Sequence, residues 1–209
     1  MNTTGRDASV SRRRGFAVGA GVTAVATPLV AGAHIVKGEA IGFVTGFLHP
    51  LSGLDHVVAM LAVGLWGAQL GRPAIWLLPV TFPLVMAFGG FLGLIGASLP
   101  GSEIAIALSG LCLGAAVLAA LRPPLPVAAA MVGLFGLFHG YAHGAELPPG
   151  QNALLYSLGF VLATGLLHAT GITLGLVHRW PWGRVVVRTA GGTIAAAGGW
   201  FLWEALASR

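Results

Sequence analysis

Two short stretches put ionisable side chains where a hydrophobic chain ordinarily avoids them. From His49 to Gly64 the sequence reads HPLSGLDHVVAMLAVG, which sets His49, Asp55 and His56 among apolar residues. From Phe138 to Glu146 it reads FHGYAHGAE and adds His139, His143 and Glu146. A charge at a bilayer centre costs about 2.5–3.5 kcal/mol even on the mildest scale, so such groups read as functional by default. Imidazole nitrogens with carboxylate oxygens and no thiolate suit borderline divalent ions: nickel, cobalt, zinc, copper(II) or iron(II). His139, His143 and Glu146 fall at i, i+4 and i+7, a stripe roughly 10 Å long on one helix. His49 and His56 would share a face if one helix ran unbroken between them, and Pro50 leaves that open.

The elements that hold these groups must be membrane helices. The chain is 56% hydrophobic and 8% charged, with a mean hydropathy of +0.86. A soluble domain carries roughly 25% charged residues. The glycines lie inside the apolar runs, which points to close helix packing. Apart from one N-terminal cluster, the basic residues stand singly at segment ends, so the net charge of +5 is no nucleic-acid footprint. Cys112 is the single cysteine, which excludes an intramolecular disulfide and a thiolate metal cage.

The expected architecture is all-α: a polytopic bundle of six transmembrane helices after an N-terminal signal peptide. Residues 1–33 fit the signal peptide. They run from Arg12-Arg13-Arg14 through an apolar stretch to Ala31-Gly32-Ala33, and cleavage there leaves His34 first. An uncleaved signal anchor is the alternative. Residues 34–209 form one domain. Its first span, 41–70, is too long for one straight crossing of about 20 residues, so a break is expected near His49-Pro50. The further segments are 74–97, 102–121, 124–146, 152–177 and 188–206. Small-residue pairs at Gly110-x-x-x-Gly114 and Gly171-x-x-x-Gly175 permit close contact, within one chain or in a homo-oligomer.

Arg72, Arg122, Arg179, Arg184 and Arg188 fall in alternate loops, while the loops 98–101 and 147–151 hold no Lys or Arg. The positive-inside rule then puts both mature termini outside, on the periplasmic side of a bacterial inner membrane. A signal peptide demands the same side. Both histidine stretches fall in the outer half of their segments, and His168 falls mid-membrane. Plainer roles compete for several residues. His168 is a metal ligand or a helix–helix hydrogen-bonding group. Met60 is core. Tyr141 is packing or a rim group, His178 is solvated, and Glu103 and Glu204 are interfacial at segment ends. The six clustered residues taken together could be a buried polar network that holds helices.

At HPLSGLDHVVAMLAVGLWGAQLG (49–71) and LFGLFHGYAHGAELP (134–148) the chain resembles HupE/UreJ, the hydrogenase/urease accessory family of nickel permeases. The shared patterns are H-P-x-x-G-x-D-H and F-H-G-x-A-H-G-x-E. The resemblance implies uptake of nickel, with cobalt as an alternative cargo, for hydrogenase or urease maturation. By motif it assigns metal contacts to His49, Asp55, His56, His139, His143 and Glu146, and the family's frequent N-terminal histidine adds His34; mid-membrane His168 is a further candidate from its position alone. Many members carry a histidine where this chain has Tyr141. The expectation is a secondary permease, not an enzyme, with no prosthetic group. No G-x-x-x-x-G-K-[ST] motif is present for ATP hydrolysis. A membrane-embedded zinc hydrolase and a non-transporting metallochaperone or sensor are the alternatives.

Overall fold

A computed structural model describes residues 42–147 and 150–208. The signal-peptide expectation and His34 lie outside the described residues. The elements are α1 (Gly42–Ser52), α2 (Leu54–Leu70), α3 (Ala74–Leu94), α4 (Ser102–Ala119), α5 (Leu125–Ala145), α6 (Ala153–Gly175) and α7 (Pro181–Ala207). A 3₁₀ turn, Leu176–Arg179, joins the last two. There is no strand among the described residues. Helices α3 to α7 are each long and apolar enough to cross a membrane, and the bent α1–α2 pair makes a sixth candidate span. The outer surface is apolar, with Leu84, Phe88, Leu154 and Val185 exposed, as a bilayer solvent requires.

The first span is broken as expected, but the break falls at Gly53, beyond Pro50. Gly53 is extended (φ −99°, ψ 112°), and α1 meets α2 at 82°. Pro50 gives up its own N–H and stays inside α1, which ends two residues later at Ser52. The last span starts earlier than the sequence suggested, at Pro181 rather than Arg188. Proline's fixed φ suits the first helical position, so the Trp- and Arg-rich stretch is helical already. Trp180 and Trp182 stack 6.0 Å apart there, exposed on the outer face. Asn152 caps α6 by accepting from the Leu154 and Leu155 amides at 3.0 and 3.1 Å.

Helix α2 runs through the middle, packed on α3, α4, α6 and α7, while α3 pairs with α5 and α4 with α7. Its residues Met60, Val63 and Trp66 are fully or almost fully buried, so Met60 is core as expected. One end of the bundle is clamped by side chains that reach the last carbonyls of α4 and the residues just after it. Trp66 Nε1 donates to Leu121 O, Gln69 Nε2 to Val117 O and Arg188 Nε to Leu118 O. That end collects every described arginine, because 72, 122, 179, 184 and 188 fall in its turns or just inside them. Every described carboxylate, Asp55, Glu103, Glu146 and Glu204, stands at the opposite end.

Candidate metal centre

Helix α5 owes its rotation to glycine. A Cβ at Gly140 would overlap the Met86 carbonyl oxygen of α3, and one at Gly144 would overlap that of Gly90. These two glycines, four apart, form the strip on which α3 lies. His139 and His143 each precede one of them, so they turn about 100° away from α3. The F-H-G-x-A-H-G spacing is therefore a docking face and a ligand face cut into the same helix. The bend at Gly53 does the matching work on the other side, folding His49 of α1 back toward His56 of α2.

The result is a continuous row of imidazoles. Ring centroids lie 4.7 Å apart for His49 and His143, 4.4 Å for His143 and His56, and 4.6 Å for His56 and His139. Phe82 of α3 lies next, 5.3 Å from His139 and 5.3 Å from His168. His49, His143 and Glu146 each offer a ligand atom, all within 4.8 Å of one another. Atoms bound to one ion at about 2.1 Å lie at most about 4.2 Å apart, so small side-chain adjustments bring the trio onto one ion.

Hydrogen bonds fix which nitrogens are free. His56 Nδ1 lies 2.9 Å from Asp55 Oδ1. A carboxylate only accepts, so Nδ1 carries the proton and Nε2 keeps its lone pair. The same oxygen accepts the His56 main-chain N–H at 2.9 Å. Asp55 thus stands behind His56 as its orienting group, the arrangement that commonly backs metal-binding imidazoles. Ser109 Oγ lies 2.6 Å from Ile106 O and 2.8 Å from His139 Nε2. The hydroxyl proton goes to the carbonyl, so His139 donates from Nε2 and Nδ1 is left bare. His56 Nε2, His139 Nδ1 and both nitrogens of His143 have no protein partner. His139 is fully buried and His168 is 1% exposed.

His49, His56 and His143 open on a cavity of about 550 Å³ at the carboxylate end. Asp55, Glu146 and Tyr141 line it too, which makes Tyr141 a rim group. Of the residues singled out by sequence, His49, Asp55, His56, His139, His143 and Glu146 come together. His168 lies deeper, beyond Phe82, beside the Pro79 carbonyl of α3. His178 sits at the arginine end, 2.8 Å from Gly175 O. Sequence reasoning missed Ser109, Phe82, Glu103 and Glu204. The two glutamates, read as interfacial, both line the cavity. The signal was available, since alternate spans bring the start of α4 and the end of α7 to one side. Ser109 and Phe82 carried no comparable signal.

Residues 22–201 match the family described as HupE / UreJ protein. The chain belongs to the HupE/UreJ family. A relative named Protein HupE, from Rhizobium leguminosarum bv. viciae, is 48% identical over 177 residues, covering 85% of this chain and 92% of the relative. No solved structure matches. HupE/UreJ proteins are hydrogenase/urease accessory membrane proteins, and the helices described above make this one a multi-pass member.

Proposed function

We propose that the chain is a secondary permease that takes up Ni(II), with Co(II) as alternative cargo, across the bacterial inner membrane for hydrogenase or urease maturation. One observation carries this reading: a row of imidazoles with free nitrogens leads from an open cavity into the closed interior. Leaving a buried polar atom unpaired costs about 1–3 kcal/mol. A purely structural network would pair those atoms, and a lone closed site would not need so many at graded depth. The bare nitrogens are ligands in waiting, weak enough singly to pass an ion onward. The arginines gathered at the opposite end support, by the positive-inside rule, an orientation with the cavity and the C-terminus on the periplasmic side. The ion loses water to His49, His143 and Glu146, moves to His56 and His139, and passes Phe82 to His168. On this path no covalent bond of the cargo is made or broken, which is the work of a transporter and not of an enzyme.

The test is uptake of radioactive nickel by cells that make wild type or His56→Ala. Loss of uptake to background is expected, and equal uptake removes His56 from the path. A second reading has one observation in its favour. His49, His143 and Glu146 make the two-histidine, one-carboxylate set of catalytic zinc sites. Stoichiometric zinc that survives mild chelation, together with hydrolytic activity, would favour it. Nickel binding without flux in liposomes would instead indicate a metallochaperone or sensor.

A further inference from the structure

The cavity holds more negative charge than its ligand trio requires. Glu103 from the first turn of α4 and Glu204 from the last turns of α7 join Asp55 and Glu146 on its wall, and among the described residues neither Arg nor Lys lines it. Among the described residues, Asp55 with His56 is the one pair of opposite ionisable groups in contact. Helix stability does not account for the placement. Carboxylates favour helix N-termini and are unfavourable at C-termini. Asp55 and Glu103 satisfy that rule, but Glu146 caps the C-terminal end of α5 and Glu204 stands near that of α7. An independent feature points to a ligand. His143 is 7% exposed, neither of its ring nitrogens has a protein partner, and it lines this same cavity. The size fits a hydrated ion. Six waters at about 30 Å³ each need roughly 200 Å³ with their ion, and the cavity offers about 550 Å³.

We propose that Glu103 and Glu204 form an outer station that holds a hydrated divalent cation by charge, before its water is exchanged for the imidazoles of His49, His143 and His56. The proposal rests on the permease reading and names the step before dehydration. The carboxylates act across water, so their effect is long-ranged and screened by salt, unlike that of a directly bound ligand.

The test compares wild type with E103Q/E204Q, using Ni²⁺ alone as probe. It measures calorimetric Ni²⁺ binding to the purified full-length chain and the concentration dependence of nickel uptake by cells. At low ionic strength the double variant is expected to bind Ni²⁺ about tenfold more weakly, with KM raised to match. At about 1 M salt, where the Debye length is about 3 Å, the two proteins converge. E204Q alone removes a carboxylate from a helix C-terminus, so it should fold at least as well as wild type and lose part of the affinity. Unchanged affinity at low salt overturns the proposal, and so does a loss that persists undiminished at high salt. Wild type that binds Ni²⁺ with this salt dependence but takes none up refutes the permease reading and leaves the station standing. Normal uptake with affinity unmoved by the double substitution does the reverse.

Discussion

Gly140→Ala tests the central structural argument, that α5 presents its histidines correctly because glycine lets α3 lie directly on it. The added Cβ would overlap the Met86 carbonyl oxygen, which is backbone and cannot rotate aside. The helices must separate by roughly 1 Å, an overpacking that costs about 1–3 kcal/mol. Alanine's better helix propensity returns at most about 1 kcal/mol. His139 and His143 move with α5, whereas a metal site tolerates about 0.2 Å. A misplacement of about 1 Å costs on the order of 100-fold where geometry must be exact. Gly165→Ala on α6 is the control, because a Cβ there meets nothing within 4 Å. Thermal unfolding in detergent should show Gly140→Ala destabilised and Gly165→Ala equal to or above wild type. Calorimetry should show Ni²⁺ affinity lost only in the former. Wild-type stability and Ni²⁺ affinity in Gly140→Ala would refute the reasoning.

Asp55→Ala should lower Ni²⁺ affinity about 10–100-fold by releasing the orientation and tautomer of His56, measured by calorimetry; an unchanged affinity would make Asp55 incidental. Ser109→Ala leaves the His139 Nε2–H without its acceptor and should cost about 1–3 kcal/mol in thermal or denaturant unfolding. Trp66→Phe loses the bond to Leu121 O at the arginine end and should cost about 1 kcal/mol. Because it lies at the opposite end of the bundle from the cavity, its Ni²⁺ affinity should match that of wild type.

The sequence by itself determined the solvent, the number of spans and the residues worth watching. Hydropathy and charge are summed along the chain, and a bilayer imposes a length near 20 residues on any span, so the segments could be read without contacts. The i, i+4, i+7 stripe of His139, His143 and Glu146 was legible for the same reason, since helix geometry is local. The break in the first span was legible from Pro50 and Gly53, but which of them carries it was not. Proline's lost hydrogen bond and glycine's freedom compete, and packing of α1 on α6 decides between them. Tertiary structure alone decided that the two histidine stretches face each other. That depends on where the Gly140 and Gly144 strip of α5 meets α3, a contact between helices far apart in sequence. It also decided that Asp55 and Ser109 set imidazole tautomers, because a proton's location follows from the atom that meets the other nitrogen. Glu103 and Glu204 passed for ordinary segment-end residues, since a charge at a helix end looks the same in sequence whether it faces water or a shared cavity.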